Sequence, residues 1–204
     1  MNRGNIPAGF FFINVAIIFV LIIPSETEAI EISDYLGEQW YGAVYHGEYA
    51  TNRMVELLTE WNPDYMDEHL AAVVLANRFH TTGDNLHWEV ETQLASGYDS
   101  PRHYELNLVL VARWDLFPWD DYLDTSFAFG EGLSYASRVP PDERDQDPNS
   151  EFLNYLLTEI AFKIPRTRRW EAFSRIHHRS GVAGTFSGVW GGSNVVAYGL
   201  RYEF

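Results

Sequence analysis

The chain has 204 residues, with 29 acidic against 14 basic side chains and no cysteine. The excess of acid excludes a nucleic-acid partner, because neutralising phosphates takes a basic surface. The absent thiols exclude a disulfide framework, a thiolate metal site, a cysteine nucleophile and a lipoprotein anchor. With 46% hydrophobic and 16% aromatic residues, the composition is not that of a disordered chain either.

The first segment reads as an address. Phe10 to Ile23 is apolar except for Asn14, follows a short region with one cation, Arg3, and ends at Pro24. It is shorter than the roughly 20 apolar residues a spanning helix needs. A short basic region, an apolar run and small residues at a cleavage site make a secretory signal peptide. Thr27-Glu28-Ala29 supplies the cleavage triplet, so residues 1–29 are expected to be removed and 30–204 to form the exported domain. That domain keeps a net charge of −14 once Arg3, Glu26 and Glu28 are gone.

Beyond the leader the apolar residues recur with period two. Leu86, Trp88, Val90 and Leu94 alternate with His87, Glu89, Glu91 and Gln93, and Leu106, Leu108, Leu110 and Trp114 alternate with Glu105, Asn107 and Arg113. Near the C-terminus Val196, Tyr198, Leu200 and Tyr202 alternate with Ala197, Gly199, Arg201 and Glu203. This is the pattern of half-apolar strands and not of helices. Eight are predicted, near 39–49, 68–79, 86–98, 104–117, 123–138, 152–164, 170–179 and 194–204, the second with poor phase. Several exceed the usual globular strand of about five or six residues and approach the roughly 9 to 11 tilted residues that cross a bilayer.

Alternation alone does not separate a soluble sandwich, apolar inside, from a transmembrane barrel, apolar outside. Three features favour the barrel. Short connections (80–85, 118–122, 165–169) alternate with mostly longer ones (50–67, 139–151, 180–193), the 99–103 connection being the exception, as periplasmic turns alternate with external loops. Aromatic residues gather at strand ends (Trp40, Tyr41, Trp114, Phe117, Trp119, Tyr122, Trp170, Tyr202), where interfacial girdles lie. The terminal aromatic Phe204 resembles the last-strand signature of bacterial outer-membrane barrels, which implies handling by the barrel assembly machinery. The predicted fold is therefore all-β: an eight-stranded antiparallel transmembrane β-barrel of the bacterial outer membrane.

A barrel of eight strands has an interior just wide enough for side chains, so a conducting pore is not expected. The inward set Glu89, Glu91, Glu105, Arg113, Glu159, Arg175, Arg201 and Glu203 mixes both signs and predicts ion pairs across the lumen, with His177 among them. Glu131 has the parity of Phe127, Phe129 and Leu133 and would face lipid at a cost. A bulge at Gly130-Glu131-Gly132 that turns it inward is expected. The acidic stretch Pro140–Pro148 reads either as a contributor to a divalent-cation network among lipopolysaccharide phosphates or as a solvated loop. No histidine has metal-ligand spacing, so neither metal nor cofactor is predicted.

The richest local sequence runs from Arg175 to Asn194. His178 and Ser180 are two residues apart and project from one face of an extended backbone, the same face as Ile176. A base and a hydroxyl there suit attack on an ester of a lipopolysaccharide molecule. A His-x-Ser pair late in a small barrel, before one last strand ending in an aromatic, resembles the PagL-like lipid A 3-O-deacylases (acyloxyacyl hydrolases). The resemblance is specific over roughly the last 30 residues and architectural elsewhere. It implies Ser180 as nucleophile, His178 as general base, no cofactor, and a glutamate twelve residues after the serine that orients the histidine. Gly192 stands at that place, and Asn194 is the substitute candidate, since an amide orients the histidine of Cys-His-Asn enzymes. The other reading is a polar strand end whose cations bind phosphate, in a non-catalytic barrel whose loops hold lipopolysaccharide. His-x-Ser is short enough to leave both open.

Overall fold

The computed structural model describes residues 39–99, 102–164 and 169–204; the expected signal peptide and its cleavage site lie outside them. The strands are β1 (Trp40–Ala50), β2 (Tyr65–Thr82), β3 (Leu86–Gly97), β4 (His103–Trp114), β5 (Thr125–Ala136), β6 (Phe152–Lys163), β7 (Trp170–Ser180) and β8 (Gly192–Glu203). One helix, α1 (Met54–Glu60), stands between β1 and β2, and a 3-10 turn, Pro141–Glu143, between β5 and β6. Each strand pairs antiparallel with the next in sequence, and β8 returns to β1, which closes the barrel.

The period-two pattern sorts residues as in a membrane barrel. Leu106, Leu108 and Leu110 on β4 and Phe127, Phe129 and Leu133 on β5 are 42–54% exposed, while Glu89, Glu91, Glu105, Glu159, Arg175 and Arg201 are at most 1% exposed. An outer surface this apolar around a charged interior inverts the arrangement of a protein bathed in water.

The lumen is filled. Glu159 sits among three arginines, with Arg113 Nη1 at 2.9 Å from Oε1, Arg175 Nη2 at 2.6 Å from Oε2, and Arg201 also bound to Oε1. Arg175 reaches Glu91 at 2.5 Å, and His177 Nε2 lies 2.9 Å from Glu105. Opposite this charged half, β1 contributes three tyrosines at every fourth position. Tyr41 donates to Glu89 at 2.9 Å, Tyr45 to Gln93 at 2.8 Å, and the Tyr49 hydroxyl lies 3.0 Å from His103 Nε2. Tyr41 was expected in the outer girdle. It points inward instead, because β1 spends its inward parity on these tyrosines, which join the apolar half of the lumen to the polar half.

The poor phase of the second strand has a simple origin. Leu70, Ala72, Val74 and Ala76 are buried inside and Leu75 is exposed outside, so both faces are apolar and the alternation vanishes. β2 is also longer than expected, continuing past a register irregularity between Arg78 and His80 to Thr82.

The expected bulge at Glu131 is absent. β5 pairs Glu131 with Leu110 on one side and with Leu156 on the other in unbroken register, and Glu131 stays exposed on the outer face. There is no room inside: a Cβ at Gly130 would lie 2.9 Å from both Leu157 Cγ and Val109 Cγ1. The glycine keeps the lumen packed, and the carboxylate is left outside, where Asn154 Nδ2 approaches it at 3.5 Å.

Candidate active site

The barrel closes at β8 and β1, and the candidate residues lie beside that seam. Register pairs His178 with Asn194 across β7 and β8, and Asn194 with Ala50 across β8 and β1. Ser180 is one outward step beyond His178, where it pairs with Asn154 and Gly192. Ser180, His178 and Asn194 thus share the outward face at the end of the barrel that carries the longer connections.

The ring of His178 is held by two acceptors. Its Nδ1 lies 2.8 Å from Asn194 Oδ1 and 3.1 Å from the Ser193 carbonyl oxygen. Neither oxygen carries a proton, so Nδ1 is the donor and Nε2 keeps its lone pair, the tautomer that a general base needs. Asn194 is oriented in turn, since its Nδ2 donates to the Asn52 carbonyl oxygen at 2.8 Å. Among the described residues, no hydrogen bond joins the Ser180 hydroxyl to the imidazole.

Gly192 occupies the place where the resemblance calls for a glutamate. A Cβ there would lie 1.9 Å from the Arg179 carbonyl oxygen and 2.9 Å from Ser180 Cα. The close approach of β7 and β8 admits only glycine, and the orienting group comes from Asn194.

A cleft of about 480 Å³ opens over these residues. Its walls are Asn52, Arg53 and Met54 from the β1–β2 connection, Asp142 and Gln146 from the β5–β6 connection, and Trp190 before β8. Gln146 ties one wall to the strand, its Nε2 donating to the Gly192 carbonyl at 2.8 Å and to that of Asp142 at 3.0 Å.

The β7–β8 connection is compact. Phe186 N donates to Gly181 O at 2.9 Å and Gly184 N to Val189 O at 2.8 Å. Val182, Ala183 and Ser187 all take positive φ. A β-branched residue such as Val182 in that region is strained, and strain of this kind gathers at functional loops.

The acidic stretch 140–148 is not simply a solvated loop. Glu143 is 1% exposed, accepts a hydrogen bond of 2.6 Å from the Ser193 hydroxyl, and lies 3.4 Å from Arg179 Nη1. Burial pushes its carboxyl up to about 7, against the pull of Arg179 and the Ser193 hydroxyl. Through Ser193 it braces the strand residue next to Asn194. Sequence reasoning placed Glu143 in an acidic loop but missed its burial against Ser193, and it missed Asn52. Asn52 acts through a backbone oxygen, which carries no sequence signal.

No family model matches the chain, and no curated protein matches it. Solved structures do. The chain is similar to the outer-membrane enzyme PagL at 12% identity and a TM-score of 0.57, over 80% of this chain and 99% of that one. It is also similar to Neisserial surface protein A, NspA, at 11% identity and a TM-score of 0.50, over 82% of this chain and 98% of that one. The likeness is one of fold: this chain is an eight-stranded barrel with the architecture of bacterial outer-membrane proteins.

Proposed function

We propose that the protein resides in the outer membrane and hydrolyses an acyl ester of lipid A or a related envelope lipid. The observation that carries this reading is the His178 ring held by Asn194 in the general-base tautomer, on the same outward face as Ser180 and at the floor of a cleft. In a soluble esterase such a group would open to water. Here it opens from the lipid-facing side of the barrel, so the substrate is a lipid that never leaves its leaflet.

In the reaction, His178 Nε2 takes the proton of the Ser180 hydroxyl as its oxygen attacks the ester carbonyl. The Asn194 and Ser193 oxygens stabilise the imidazolium through Nδ1–H. His178 then returns the proton to the departing alcohol, and water releases the acyl group from Ser180 by the same steps in reverse roles. Arg53 at the rim suits a phosphate of the lipid headgroup. The strained loop and the glycine approach at Gly192 support a built site.

The missing hydrogen bond between Ser180 and His178 favours a second reading: a non-catalytic barrel whose loops hold lipopolysaccharide. Mass spectrometry of lipid A from cells with and without the protein, beside Ser180→Ala and His178→Ala, separates the two. Loss of an acyl chain that depends on both residues supports the esterase. An unchanged lipid spectrum on overexpression leaves the binding barrel.

A further inference from the structure

Helix α1 is folded against the outside of the barrel wall. Leu57 is fully buried and packs with Ala50, Ile176 and Val196, with Met54 against the same cluster. All three partners have outward parity, and Ile176 and Val196 lie one outward step further from the long-connection end than His178 and Asn194. The β1–β2 connection therefore turns back down the wall and covers part of the apolar belt.

The rest of the helix has no soluble logic. Val55 and Leu58, one turn apart, form one face and are 61% and 51% exposed, and Trp61, the left-handed residue that ends the helix, is 52% exposed. A seven-residue helix with one apolar face on the barrel and a second facing away leaves only Glu56, Thr59 and Glu60 for water. Glu56 is partly engaged, accepting a hydrogen bond from Arg53 N at 3.0 Å. The exposed stripe continues the barrel's own outer belt, represented nearby by Tyr198 at 56% and Leu200 at 42% exposure.

The geometry points to α1 as a leaflet-inserted helix: its exposed Val55–Leu58 face, with Trp61 at its C-terminal end, is covered by lipid acyl chains. The inference rests on the membrane reading of the barrel and is independent of the chemistry at Ser180. Its consequence for the cleft is directional. Asn52, Arg53 and Met54 lead into this helix, so that side of the cleft borders hydrocarbon, and a chain carrying an ester reaches Ser180 by sliding along α1 within its leaflet. The other walls, Asp142 and Gln146, belong to the aqueous loops.

The absence of cysteine makes the test direct. Nitroxide labels on Val55→Cys or Leu58→Cys, in protein reconstituted into phosphatidylcholine vesicles, are compared with labels on Leu108→Cys in the belt and Asp145→Cys in the β5–β6 connection. Heat-dependent gel migration verifies that each is folded. Collision with molecular oxygen at positions 55 and 58 that matches Leu108, with protection from a water-soluble nickel chelate, supports the proposal. Chelate access matching Asp145 while Leu108 stays protected overturns it and leaves the barrel in the membrane. Chelate access at Leu108 as well overturns the membrane reading itself. As a second readout, brominated acyl chains should quench wild-type fluorescence more than that of Trp61→Phe, and equal quenching counts against the proposal.

Discussion

His178 gives its Nδ1 proton to Asn194 at 2.8 Å, and Asn194 cannot turn its amide around because its nitrogen is committed to the Asn52 carbonyl at the same distance. The relay fixes both the tautomer and the plane of the imidazole without a carboxylate. Asn194→Ala should therefore lower kcat on a lipid ester by up to about 10⁴, the loss seen when a triad's orienting acid is replaced, with KM little changed. Asn194→Asp, which keeps an acceptor toward Nδ1 but loses the donor to the Asn52 carbonyl, should fall between Asn194→Ala and the parent. Single-turnover hydrolysis in detergent micelles distinguishes these, and an Asn194→Ala enzyme as fast as the parent would remove Asn194 from the mechanism.

Supplying the acid that the resemblance calls for should not help. Gly192→Glu brings a side chain against the Arg179 carbonyl, so the β7–β8 pair must separate. The expected result is a lower temperature for the heat-dependent gel shift and no gain in hydrolysis; a faster enzyme would refute the steric argument.

Glu143 makes the connection over the cleft pH-dependent. Its folded-state value of about 7 lies above the ordinary carboxylate value of 4.5, so the fold prefers the protonated form. Its contribution is complete below the ordinary value and is lost as pH rises through about 7. The melting temperature of the wild type should fall between pH 5 and pH 8 relative to Glu143→Gln, and parallel curves would show that Glu143 does not set this dependence.

The lumen should be intolerant of partial removal. Arg175→Met leaves Glu91 uncompensated and takes one of three cations from Glu159. Breaking one partner of a buried network costs about 3–5 kcal/mol. A marked drop in urea midpoint after refolding into micelles is expected, whereas the surface ion pair Lys163–Asp124, at 3.6 Å, should yield almost nothing on Lys163→Met.

Glu131→Leu is expected to act in the opposite direction. A carboxylate on the outer apolar face is unfavourable, and its contact to Asn154 is long. Leucine there should raise the melting temperature in vesicles; a fall would mean that Glu131 holds a partner in the membrane.

The strands and their closure were legible because lipid outside and ion pairs inside enforce period two, and a one-residue slip would invert every side chain. That His178 and Asn194 share the outward face was legible for the same reason, but period two does not set the register that pairs them. Glu131 was not. Its parity was read correctly, but the bulge was added to avoid an energetic cost, and only the packing around Gly130 shows that the inside was already full. Asn52 and the burial of Glu143 depend on how two connections fold over the seam, which no periodicity encodes.

The seam has one more consequence. Asn194 belongs to the last strand and Asn52 to the residues just after the first, so the chain of hydrogen bonds that sets His178 spans the two ends of the sheet. While the sheet is open Asn52 is far from Asn194, and the amide that holds the His178 ring lacks its own anchor. The proposed chemistry at Ser180 would therefore gain its fully anchored histidine only when β8 meets β1. Closure of the barrel and anchoring of Asn194 would then be a single event.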